Sequence, residues 1–212
     1  MHGLYVITHA ENPAGYTHYQ LAKMALKGGA QFIQLRDKKM EARELMKIGI
    51  EIRQLCEHYG ARLIINDRID LAYATDAHGV HLGQQDLPIS VARNILGEQK
   101  IIGGSASTIK EAQALEAGGA DYIGFGHIYN STTKQKSYAP RGIETLRQVV
   151  REVSLPVFAI GGITMEDAGE VAKTGVAGLA VSSAVYSVSE PIDAAIKLAS
   201  LFGDTKPPVP GF

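Results

Sequence analysis

One arrangement repeats along the 212 residues of this chain: a short, β-branched apolar run closes on a polar cluster, and a stretch of helical pattern follows. The runs fall at 4–7, 32–35, 63–65, 79–82, 100–103, 122–125, 157–160 and 178–181. Short, mostly apolar runs suit parallel strands buried on both faces. Eight of them, separated by helices and followed by a last helix over 191–203, predict an α/β protein of the (β/α)8 TIM-barrel type. Such a barrel carries the groups that follow its strands to one mouth, where barrel enzymes keep their active sites. Between the runs, 41–59 shows an imperfect amphipathic stripe (Leu45, Ile48, Ile50, Ile52, Leu55). A helix over 108–118 has a cap signal near Ser107, and Thr164 with Asp167 marks a helix start. Gly-Gly-Ala at 28–30 and 118–120, with a related step at 175–178, gives a weak internal repeat of the βα unit. Residues 1–204 read as a single domain, and 205–212 as a Pro-rich tail that cannot form a helix.

The formal net charge of −1 carries no basic surplus, which argues against a nucleic-acid binder and requires any anion site to arise from local charge placement. The single cysteine, Cys56, excludes an intramolecular disulfide framework and a multi-thiolate zinc site, and sits in a helical stretch as a buried thiol. No apolar run reaches the ~18–20 residues of a membrane span. The N-terminal residues read as a first strand, not as a signal peptide. The expectation is a cytoplasmic protein with no membrane partner; homo-oligomerisation is left open.

Five polar clusters carry the candidate chemistry. Gln34, Arg36 and Lys38 alternate within Gln34-Leu35-Arg36-Asp37-Lys38 and, if strand geometry persists, project together into the mouth. There an Arg fork and a Lys charge would hold phosphate oxygens; the alternative is a set of solvated loop charges paired with Asp37. Asp67 and Asp86 close neighbouring strands and could share one Mg²⁺ with diphosphate oxygens, or could serve as a helix cap and a turn residue. Ser131, Thr132, Thr133 and Lys134 lie in the longest connection, 126–142, which suits a lid over an anion or a plain surface loop. Gly161-Gly162 and Ser182-Ser183 follow the last two runs, where many barrels bind a phosphate. His127 could be a general acid–base or simply line the pocket. His81 reads as a hydrogen-bonded core residue. Cations and carboxylates on one side, with glycines and hydroxyls on the other, suggest two phosphorylated small molecules joined at one mouth. A Schiff-base aldolase is disfavoured because no lysine lies within a strand core.

In this order the clusters resemble thiamine phosphate synthase over nearly the whole chain. The matching segments are Gln34 to Lys38, Asn66-Asp67, Gly83 to Asp86, Gly103-Gly104-Ser105, Ser131 to Lys134, Gly161 to Ile163, and Ser183. The resemblance implies that Gln34, Arg36, Lys38, Asn66, Ser105 and Lys134 hold an aminopyrimidine diphosphate. It implies Mg²⁺ on Asp67 and Asp86, and a thiazole phosphate on Ser131, Thr132, Thr133, Gly162, Ser182 and Ser183. Leu35 and Asp37 fall within the same substrate-binding segment. Arg36, Lys38, Ser105, Lys134 and His127 are the expected catalytic set. In the family, pyrophosphate leaves the pyrimidine methylene and the thiazole nitrogen captures the resulting cation. Three positions depart from the family pattern: His127 and Asn130 replace prolines, and Ser131 replaces a threonine. The Gly126-His127 step and Arg141-Gly142 resemble the sister thiazole tautomerases, where that histidine is implicated in proton transfer. Tautomerases generally lose parts of the diphosphate and metal set, which this chain keeps. Coupling is therefore the expected activity, with thiazole tautomerisation, or non-catalytic binding of the same phosphates, as alternatives.

Overall fold

In a computed structural model that describes residues 1–130 and 138–203, eight parallel strands close into a barrel. They are β1 (Gly3–Ile7), β2 (Phe32–Leu35), β3 (Arg62–Asn66), β4 (Gly79–Leu82), β5 (Ile101–Ala106), β6 (Tyr122–Gly126), β7 (Val157–Ile160) and β8 (Gly178–Val181). Each strand pairs with its neighbours in sequence, and β8 closes on β1 through Gly3↔Gly178 to Val6↔Val181. The connecting helices are α1 (His18–Lys27), α2 (Ala42–Tyr59), α3 (Ile69–Ala74), α4 (Ile89–Leu96), α5 (Ile109–Ala117), α6 (Gly142–Glu152) and α7 (Met165–Ala172). A short α8 (Ser183–Tyr186) and a final α9 (Pro191–Ser200) complete the ring.

Strand side chains alternate between two faces, so each strand feeds two cores. Outward residues such as Leu4, Val6, Ile33, Leu63, Ile65 and Val80 pack beneath the helices. Burying each such aliphatic side chain stabilises the fold by roughly 1.5–3 kcal/mol. Inward residues Tyr5, Phe32, Ile64, Tyr122, Phe158 and Ala180 form a separate cluster inside the barrel. Four of these are aromatic, with ring centroids 5.5–5.9 Å apart, and they make a solid floor beneath the mouth. Cys56 is fully buried in the outer core, and that burial pushes its thiol up to about 12.

The eight expected strands are all present, with three differences that bear on the site. β5 runs on to Ala106 instead of ending at Gly103, because Ser105↔Gly124 and Ala106↔Phe125 continue its ladder with β6. Ser105 is therefore held by a strand. Asn66 is likewise the last residue of β3, not the first of a loop. The helix α8 is unforeseen, since four residues are too few to show a helical period; α9 ends at Ser200, short of the expected 203. The N-cap near Ser107 belongs to Thr108, which accepts from Glu111 N–H while Glu111 reaches back to Ser107. Thr164 and Asp167 form the expected cap of α7 as a reciprocal box. The long-connection residues Ser131, Thr132, Thr133 and Lys134, and the tail 205–212, lie outside the described residues.

Candidate active site

The C-terminal ends of the strands surround a cavity of about 740 Å³. Arg36, Lys38, Asn66, Asp67, Asp86, Ser105, His127, Gly162, Ser182 and Ser183 all line it. A smaller groove, about 460 Å³, lies outside the barrel between α1 and α2 and receives nothing from the strand ends.

One side of the mouth is built from β2 to β5. β2 stops at Leu35, so Gln34, Arg36 and Lys38 do not project together as the alternation suggested. Gln34 is buried one layer down and donates to the Tyr5 hydroxyl at 2.8 Å, while Arg36 and Lys38 reach the cavity from the loop. Leu35, its neighbour, is 1% exposed, and its side chain packs in the outer core and does not line the cavity. Asp37 is also turned away. Its Oδ2 meets His18 Nε2 at 3.0 Å, and its Oδ1 accepts the N–H groups of Lys39 and Met40 at 2.7 and 2.8 Å. Burial would lift its pKa, but the His18 contact and these N–H groups outweigh it and hold the carboxyl below the usual range. Asp37 thus shapes the turn that presents Arg36 and Lys38. Thr8, at the end of β1, adds a third fixing point by accepting from Arg36 N–H at 3.3 Å.

Lys38 Nζ lies 3.2 Å from Asp67 Oδ2, and the Asp67 carboxyl is within hydrogen-bonding reach of Asp86. Asp67 has a φ of 63°, a left-handed conformation uncommon outside glycine, asparagine and aspartate. It does not cap α3, whose N-cap is Arg68 with no side-chain cap bond. Asp86 is fixed by its own turn, with Gly83 N–H donating to Oδ2 at 2.6 Å and Asp86 N–H to Gly83 O at 3.1 Å. Partial burial, with the charge and hydrogen bond of Asp67, raises the Asp86 pKa against the opposing pull of Gly83 N–H and Lys38. Two carboxylates from adjacent strand ends therefore crowd one point. Among the described residues no group of three or more His, Cys, Asp or Glu side chains could hold a metal without outside ligands.

The opposite side is backbone and hydroxyl. Gly161 and Gly162 follow β7 with φ of 95° and 68°. A Cβ at 162 would stand 2.4 Å from Asn130 O, and one at 161 would stand 2.5 Å from His127 Cβ. Only glycine lets the segment after β6 lie this close, joined by Tyr129 N–H to Gly161 O at 3.0 Å. At the α7 N-terminus, Thr164 and Asp167 satisfy each other's N–H groups through a capping box. Ser182 and Ser183 enter from the β8 end, where Ser183 opens α8. His127 is 8% exposed between the halves, its ring 5.1 Å from that of Tyr138, over which Arg141 stacks at 4.3 Å.

Several lining residues went unflagged in the sequence. His9, Ser107, Glu111 and Tyr138 join the wall; the cap signal around Ser107 and Glu111 and the place of Tyr138 in the long connection were the hints, and none pointed to His9. His81 is a hydrogen-bonded interior residue as expected, but its ring also faces the cavity.

Known proteins agree with this architecture. Residues 4–185 match the family described as thiamine monophosphate synthase. A thiamine-phosphate synthase of Methanospirillum hungatei is 46% identical over 199 residues, covering 94% of this chain and 97% of that protein. Another, from Chlorobium luteolum, is 47% identical over 182 residues, 86% of each. The solved structure of thiamine phosphate pyrophosphorylase from Pyrococcus furiosus superposes with a TM-score of 0.86 at 41% identity, over 94% of both chains. The chain belongs to the thiamine monophosphate synthase family.

Proposed function

We propose that this family member joins 4-amino-2-methyl-5-hydroxymethylpyrimidine diphosphate to a thiazole phosphate, releasing pyrophosphate and forming thiamine phosphate. The observation that carries the reading is the two-sided mouth: a cationic and carboxylate half facing a glycine and hydroxyl half across one cavity. A reaction that expels one anion and anchors another needs both halves.

In the first half, Arg36 and Lys38 take the diphosphate oxygens, with Asn66 and Ser105 as neutral partners. The crowding of Asp67 and Asp86 suits a hard divalent cation, and two carboxylates with substrate oxygens are a usual ligand set for Mg²⁺. Held there, Mg²⁺ would neutralise charge on the departing pyrophosphate. Lys38, already 3.2 Å from Asp67, stands where it can follow that charge as the C–O bond breaks. In the second half, the N–H groups of Gly161 and Gly162 and the hydroxyls of Ser182 and Ser183 hold the thiazole phosphate, leaving its ring nitrogen to meet the pyrimidine methylene. His127 lines the space between; Lys134 would add a cation for the diphosphate, and Ser131, Thr132 and Thr133 hydroxyls for the thiazole phosphate. Gln34 serves from below, through Tyr5, and Leu35 and Asp37 hold the loop. Residues 1–204 would act as one catalytic domain in the cytoplasm, working on phosphorylated small molecules. Among the described residues, no helix is long and apolar enough to cross a membrane.

Incubating the purified protein with both phosphorylated halves and Mg²⁺, with and without chelator, tests this. Coupled product that disappears with chelator is expected. A protein that isomerises the thiazole phosphate and yields no coupled product would overturn the assignment.

A further inference from the structure

A line of buried hydrogen bonds crosses the barrel just above its aromatic floor. Gln34 Nε2 donates to Tyr5 Oη at 2.8 Å, Tyr5 Oη meets Tyr122 Oη at 2.8 Å, and Tyr122 Oη meets His81 Nδ1 at 2.9 Å. His81 Nε2 then meets Ser105 Oγ at 2.8 Å, at the cavity wall. The first four residues are each at most 7% exposed. Glycines reserve room for the line: a Cβ at 103 would stand 2.1 Å from the Tyr122 ring, and one at 124 would stand 3.0 Å from the His81 ring.

Its direction follows from counting protons. An amide nitrogen only donates, so Tyr5 accepts from Gln34, and the Tyr5 proton goes to Tyr122, because a buried hydroxyl must find an acceptor. Tyr122 has then accepted from Tyr5, and its own proton goes to His81 Nδ1. That nitrogen is an acceptor, which leaves the imidazole proton on Nε2, pointing at Ser105. Ser105 Oγ receives this bond and keeps its own O–H for the cavity.

We propose that Gln34, Tyr5, Tyr122 and His81 are positioning residues that make Ser105 a hydrogen-bond donor toward the ligand. The inference rests on the coupling reading only in naming that ligand as the pyrimidine diphosphate. The group that takes the Ser105 proton is an acceptor, either an unprotonated ring nitrogen or a diphosphate oxygen.

The test has two parts. In ¹⁵N-histidine-labelled full-length protein, with the His81 signals assigned by their loss in His81→Asn, Nε2 is expected to carry the proton and Nδ1 to be bare. A proton on Nδ1 would mean that the Gln34 amide is turned and the line runs the other way, which overturns the proposal. For binding, Ser105→Ala and Tyr122→Phe are each expected to weaken the pyrimidine diphosphate about 5- to 100-fold, as for a buried partner left unmatched. Ser105→Thr should restore it, and thiazole phosphate affinity should not change. Inorganic pyrophosphate identifies the acceptor: parallel loss assigns a diphosphate oxygen, and loss confined to the pyrimidine compound assigns the ring. Unchanged affinity for both ligands in both variants overturns the proposal. A wild-type protein that fails to couple would sink the reaction assignment while leaving the His81 tautomer to be read independently.

Discussion

The two halves of the mouth use different chemistry for the same class of ligand. Between β2 and β5 the work is done by side chains: Arg36, Lys38, Asp67 and Asp86 bring full charges, and the crowded carboxylates store repulsion that a cation can relieve. Between β7 and β8 it is done by backbone: Gly161 and Gly162 hold positive φ, and hydroxyls supplement their N–H groups. A leaving group gains charge during the reaction and needs counter-charge that strengthens with it. An anchored monoester changes little and needs only a rigid cradle. The two halves should therefore fail in different ways.

The largest effect is expected from the carboxylates. Asp67→Asn and Asp86→Asn should each lower coupling turnover by about 100-fold or more, the scale of losing one transition-state charge partner. Steady-state kinetics with circular dichroism as a fold control checks this; unchanged turnover in both would reduce these residues to turn formers.

Next comes the cradle. Gly162→Ala must place a Cβ against Asn130 O in a left-handed conformation, a clash with backbone that cannot yield cheaply. It should cost roughly 1–3 kcal/mol of stability. Thiazole phosphate affinity should fall while pyrimidine diphosphate affinity holds. Urea unfolding and calorimetry would separate the two effects; equal loss for both ligands would mean that the halves are mechanically coupled.

The smallest effect is on stability. The Asp86 pKa is raised in the folded protein, so the folded state holds this proton more tightly than the unfolded chain. The associated stability is present below the ordinary carboxylate pKa and is lost as pH rises through the raised value. Mg²⁺ at neutral pH should restore it, raising Tm by about 3–6 °C at ~10 times Kd. The gain should fade as pH falls through the raised pKa of Asp86 and should be much reduced in Asp86→Asn. Scanning calorimetry across pH, with and without Mg²⁺, reads this directly.

The same contrast decides what could be read from the sequence. Mostly apolar runs of three or four residues placed all eight strands, because burial on both faces leaves a recognisable signature. Charged residues at strand ends pointed to the mouth, and Arg36, Lys38, Asp67 and Asp86 do meet there. Strand periodicity misled once it was carried past its end: β2 stops at Leu35, so Gln34 faces the interior and Asp37 binds His18 instead of lining the cavity. The buried line from Gln34 to Ser105 was invisible, because its members come from five strands and only barrel closure brings them together. The short α8 was equally hidden, since one helical turn carries no period.

The independence of the two halves is tested most directly by calorimetry of Arg36→Ala and Ser183→Ala with each ligand in turn. Arg36→Ala should weaken the pyrimidine diphosphate by about 10-fold or more, as for a lost charge-assisted bond, and leave thiazole phosphate nearly unchanged. Ser183→Ala should do the reverse. Equal losses for both ligands in either variant would contradict the two-sided mouth.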